Sequence, residues 1–287
     1  MKSIKTIYVL SVLVIIISAT CCIIPFLTNN ELANKTMVSS FGDTVTLYGK
    51  GIYARNSVSG ALQAIAQDLV TLVLVIPGML TSLLLTKKKS LTGKFLLTGM
   101  FGYMLYTYMS YAFLMFYNDL FLLYVANMTL SFYGFVLCIL MLTKEPTVER
   151  IKQGMPVKGL RIFLIISGVL ILLMWLGRII PTIGKNTAPV GLDNCTTAVI
   201  QAMDLGIIVP ACFVIAHLLK IRHKLGFILG PVIVVKAVTL ITAVIAMAVF
   251  MHTSGESDET MSFIVFGVIC VLAFYYFFRV MRQLRKA

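Results

Sequence analysis

Eight long apolar runs constrain this chain more than any other feature. They are Ile7–Phe26, Ala64–Leu85, Phe95–Phe116, Leu120–Leu142, Leu160–Ile180, Thr197–Leu219, Leu225–Met251 and Met261–Phe278. Hydrocarbon offers no partner to an unpaired backbone group, so a segment that crosses it must close its hydrogen bonds internally, and a helix does so in roughly 20 residues. The expected fold is therefore all-α: a polytopic transmembrane helical bundle of about eight spans. Apolar residues are 59 % of the chain and charged ones 12 %, about half the roughly 25 % usual in soluble domains. With a mean hydropathy of +0.97, too little polar surface remains to cover a water-soluble globule. Soluble enzyme, disordered chain and secreted disulfide scaffold all fit poorly.

The net charge of +13 resolves by position. With the N-terminus inside, eighteen Lys and Arg fall on inner segments, among them Lys87–Lys89, Lys220, Arg222 and Arg279. Only Lys35, Lys50, Arg55 and Lys185 fall outside. Basic residues accumulate on cytoplasmic loops, so both termini are expected to be cytoplasmic in a cell membrane. A nucleic-acid partner would need a basic groove on a soluble face, and none is expected. The expected partners are the bilayer and anionic lipid at its inner face. The first run is too long for a signal-peptide core and lacks an A-x-A site, so it is expected to remain as an anchor. The outer segment Leu27–Gln63 is long enough to be either a packed lid or a solvated connector; His252–Thr260 is a short acidic outer loop.

The chain also carries signs of an internal repeat, with expected halves 1–152 and 153–287 of four helices each. In both, a Gly-Lys pair (Gly49-Lys50, Gly184-Lys185) precedes an aspartate (Asp68, Asp204). A proline follows (Pro77, Pro210), and then a basic cluster (Lys87–Lys89, Lys220–Arg222). Repeats of this kind are common among transporters. Pro77, Pro210 and Pro231 are candidate hinges or static bends.

Ionisable groups within spans are costly, which singles out Asp68, Arg178, Asp204 and Lys236. Their depths suggest the pairs Asp68–Arg178 and Asp204–Lys236, serving either as structural ion pairs or as a path for a solute or ion. Thr197, Gln201 and Asp204 fall on one helix face, as do Gln63, Gln67 and Thr71, with Asp68 flanking. These stripes can line an outer cavity or supply interhelical hydrogen bonds. Tyr103, Tyr106, Ser110 and Tyr117 form a hydroxyl-bearing face of the third span. Trp175, Tyr117 and Tyr124 are read as interface aromatics. No C-x-x-C, metal-binding histidine pair or nucleotide loop occurs, so no metal, cofactor or catalytic residue is expected.

The stretch Tyr48-Gly49-Lys50-Gly51-Ile52-Tyr53-Ala54-Arg55 through Gln67-Asp68, with Gln201–Gly206 and Lys236, resembles uncharacterised bacterial multi-pass membrane proteins over most of the chain. That resemblance implies a bacterial inner-membrane location and no particular activity. From the residues, the first reading is binding or transport of a small solute or ion. A scaffold or sensor with an outer ligand-binding loop is second, and a membrane-embedded enzyme acting on lipid or quinone is third.

Overall fold

The structure, a computed structural model, describes residues 2–146, 151–255 and 260–286, without the side chains of 2, 3 and 260–265. Glu149, Arg150 and the acidic residues of the expected 252–260 loop (Glu256, Asp258, Glu259) lie outside the described residues. The chain is a helical bundle. Its helices are α1 (Lys2–Leu27), α2 (Val58–Val70), α3 (Ile76–Lys87), α4 (Leu91–Leu114), α5 (Phe121–Thr143), α6 (Val157–Ile179), α7 (Val199–Met203), α8 (Val209–Lys220), α9 (Lys224–Thr253) and α10 (Thr260–Lys286). The pairs α2/α3 and α7/α8 each form one continuous span through a π-helical turn, Thr71–Val75 or Asp204–Ile208.

Seven of the resulting long helices are apolar enough to cross a membrane. The protein is thus an integral membrane protein. The eighth, α4, has 24 residues, ample for a crossing at 1.5 Å per residue. Its tyrosines, threonines and glycines dilute its hydropathy, and other helices bury most of its surface. Helix α1 packs in the same manner: Ile7, Ser11, Val14, Ser18 and Cys21 recur on one face, each 0 % exposed. Asn127 of α5 donates to Ser18 at 2.8 Å, a polar contact between helices of the kind that orients packing in lipid.

The two π turns have a common physical cause. Pro77 and Pro210 each occupy the second residue after the turn. Proline offers no N–H, and its ring collides with the carbonyl four residues back. Widening the preceding turn relieves both problems. Accordingly, Ile76 N–H reaches Thr71 O and Val209 N–H reaches Asp204 O, five residues back instead of four. Pro231 sits inside α9 without such a turn.

Local geometry recurs at a constant offset of 133 residues, from Pro77 to Pro210, Lys89 to Arg222 and Ser90 to His223. Lys89 and Arg222 both take positive φ, 61° and 54°, closing α3 and α8 in the left-handed manner of helix ends. The N–H of Ser90 bonds Leu85 O at 3.0 Å and that of His223 bonds Leu218 O at 2.9 Å. Ser90 and His223 then cap α4 and α9 through their side chains. A Cβ on Gly93 would lie 2.7 Å from the Leu85 carbonyl carbon, and one on Gly226 2.7 Å from that of Leu218. Only glycine lets the returning helix come so close. In this register Asp68 falls opposite Gln201 and Asp204 opposite Thr71. The sequence pairing of the two aspartates is therefore off by three residues.

The segment between α1 and α2 is folded and packed. Strands β1 (Thr36–Val38) and β2 (Thr44–Thr46) form an antiparallel hairpin, Thr36 opposite Thr46. Bridges join Glu31 to Lys50 and Leu47 to Ser57. A 3-10 turn at Gly51–Tyr53 drives the Tyr53 ring into the bundle, leaving it 1 % exposed. The lid alternative is the one realised, and α2 starts at Val58, earlier than the apolar run. Asn194, before α7, donates to Arg55 O at 2.9 Å and ties the second loop to this cap. At the opposite end Lys94 is hydrogen-bonded to Glu145, joining α4 to the end of α5.

Candidate functional site

Two polar centres lie within the bundle, one sealed and one open to a cavity. The sealed one surrounds Asp68, itself 1 % exposed. Tyr53 donates to its Oδ2 at 2.7 Å and Tyr111 to its Oδ1 at 2.9 Å. Tyr108, Tyr111 and Tyr124 meet in a run of ring contacts, with Tyr111 and Tyr124 edge-on at 5.2 Å between centroids. The Cys22 sulfur lies 3.9 Å from Tyr108 Oη. Burial of a polar group is tolerated when its hydrogen bonds are made, and both carboxyl oxygens are satisfied here. The expected Asp68–Arg178 pair does not form. The Asp68 side chain turns toward α1 and the cap, whereas Arg178 stands at the last turn of α6, on the other centre.

One turn away, Gln67 donates to Tyr103 Oη at 3.0 Å and to Thr107 at 2.7 Å, while Thr71 and Tyr103 hydroxyls lie 3.0 Å apart. Tyr103 is fully buried and fastens α4 to the first π turn. The interhelical reading of this stripe holds for Tyr103 and Thr71.

The second centre opens on a cavity of about 310 Å³ enclosed by α4, α6, the second π turn and α9, with residues of α2 and α10 completing the wall. That volume lies at the small end of ligand pockets, roughly 300–1,000 Å³. Most of its lining is Leu, Ile, Val, Met and Phe; the charged residues form one strip. Asp204 begins the π turn. Its Oδ1 accepts from Tyr106 Oη at 2.7 Å and its Oδ2 from the Trp175 indole at 2.8 Å. Each aromatic ring in turn carries a cation: Lys236 Nζ lies 4.1 Å from the Tyr106 centroid and Arg178 Cζ 5.5 Å from Trp175. The order along the strip is cation, ring, carboxyl, ring, cation.

Asp204 and Lys236 are thus brought together as expected, and they interact electrostatically. Tyr106 stands between them, so the contact is relayed through a ring and no direct salt bridge is formed among the described residues. Gln67, Tyr106, Arg178, Asp204 and Lys236 line the cavity; Asp68, Tyr103 and Gln201 do not. Gln201 contributes its backbone carbonyl, which accepts from Asp204 N–H. Thr197 precedes α7 and continues no helical stripe. Tyr106 and Ser110 keep the cavity face of α4, while Tyr117 lies beyond its end, 73 % exposed.

Trp175 and Tyr124, read as interface aromatics, have other places: Trp175 holds Asp204 and Tyr124 is buried against Tyr111. Leu164, Ser167, Ile171, Trp175 and Arg178 all line the cavity. Their spacing of three and four residues puts them on one face of α6, a signal legible in the chain. Tyr53 gave no such sign, because it comes from a loop. Comparison of the chain with protein-family models, with curated proteins and with solved structures finds no match.

Proposed function

We propose that this integral membrane protein takes a small solute into the Asp204 cavity and passes it across a cell membrane, both termini being cytoplasmic. The observation that carries the reading is the cavity itself, a roomy apolar chamber with a charged strip along one wall. Intramembrane charges at a water-reachable cavity mark solute paths, and small-molecule sites are apolar with a few converging polar groups. The π turn beneath Asp204 supports movement, since π turns gather at functional sites. The basic bias of the inner segments supports the orientation, with anionic lipid as their contact. The repeated geometry supports two four-helix halves, 1–152 and 153–287, meeting where α4 crosses α9.

In the test, Ala237, which lines the cavity, is replaced by cysteine, and wild type supplies the labelling baseline. A membrane-impermeant maleimide is expected to label Ala237→Cys well above that baseline, and Ser167→Trp in the same chain to suppress the labelling. Failure to label from either face would remove the cavity as a solute site.

A second reading, a sensor, rests on Tyr53, which joins the cap to Asp68. It predicts that Tyr53→Phe changes how the cap responds to a ligand without altering labelling at Ala237→Cys.

A further inference from the structure

The charge balance of the cavity identifies the kind of solute it accepts. Three formally charged side chains line it: Asp204, Lys236 and Arg178. Both Asp204 oxygens are taken by Tyr106 and Trp175, leaving the carboxyl little capacity for a cationic ligand. The two cations are differently placed. Each lies over a ring, a contact that uses the charge but none of the N–H donors. An ammonium brings three donors and a guanidinium five. The strip therefore presents one spare positive charge, and unmatched donors beside an apolar chamber.

Resting on the solute-binding reading above, we propose that the ligand is an amphiphilic monoanion, with a carboxylate head between Lys236 and Arg178 and an apolar body along α6 and α9. Arg178, exposed at the end of α6, receives the head at the mouth, and Lys236 holds it deeper. An arginine fork suits a carboxylate in two parallel bonds, and charge-assisted bonds are the stronger kind. Leu164, Ile171, Leu240 and Val244 offer the body an apolar wall.

Trp175 is the only tryptophan of the chain and belongs to the strip, so its fluorescence reads the site directly. The purified protein in phosphatidylcholine liposomes is titrated with decanoate, decylammonium and decanol, which share a tail and differ in head. A saturable change in Trp175 emission with decanoate alone is expected. Lys236→Met should weaken it about tenfold or more, as for loss of a hydrogen bond to a charged group, while Lys236→Arg should retain it. If Lys236→Met does not fold, Arg178→Gln at the exposed mouth should weaken decanoate binding in the same direction. Adding phosphatidylglycerol identifies the source of the head: competition with decanoate supports a bilayer lipid anion, and its absence supports a free amphiphile. A saturable response to decylammonium or decanol, with none to decanoate, overturns the anionic class and leaves the solute site standing. Equal, unsaturable responses to all three overturn both.

Discussion

At the scale of single residues, depth along a helix proved legible and direction around it less so. Counting from the span ends brought Asp204 and Lys236 to one level, and they do share a cavity. The same count paired Asp68 with Arg178. Successive helix residues point roughly 100° apart, and Asp68 looks away from Arg178 toward a tyrosine that arrives from a loop. No helical spacing announces Tyr53. Replacing it by phenylalanine removes one of two donors to a buried carboxyl and should cost about 1.5–3 kcal/mol, measured as lowered thermal stability of the purified protein. Ser131 behaves oppositely. Its buried hydroxyl has no hydrogen-bond partner, so Ser131→Ala should leave stability unchanged or slightly raised in the same melt. Cys195, outside the spans, is partly buried with Asp193 beside it, and both push its thiol above the ordinary range. Because the thiolate is the reactive form, alkylation of Cys195 should be slow at neutral pH and accelerate as pH rises. A rate already at its plateau near pH 7 would contradict this.

At the scale of elements, the spans could be read from apolar length, but the breaks inside two of them could not. Proline forbids a regular turn without dictating whether the helix kinks or widens. Here both spans widen to π geometry. Pro210→Ala permits an ordinary turn at Asp204, which would rotate the carboxyl relative to Trp175. The expected result is a bundle of normal stability with shifted Trp175 emission; an unchanged spectrum would mean the π turn does not depend on proline. The α4–α9 crossing depends on Gly99, where a Cβ would lie 2.4 Å from Val235 Cβ. Gly99→Ala should therefore destabilise by about 1–3 kcal/mol, the usual cost of overpacking, again read as a lower melting temperature.

At the scale of the whole molecule, the two four-helix halves place one pair of positions in two chemical versions. Thr71 and Tyr103, at the π turn and third helix of the first half, are neutral and hydrogen-bonded. At the same offset of 133 residues stand Asp204 and Lys236. On this account the first half is the sealed frame and the second the working half, with Tyr106 reaching across from α4 to the charged strip. Sequence similarity between the halves was visible, yet its register was not, because apolar helices align almost equally well a turn apart. The central claim is that the cavity serves as a passage and not only a binding site. The most direct measurement compares impermeant-maleimide labelling of Ala237→Cys in right-side-out and inside-out vesicles. The account predicts labelling from both faces, and a rate from each face that a bound amphiphilic anion lowers. Labelling from one face alone, unaltered by any ligand, would contradict it.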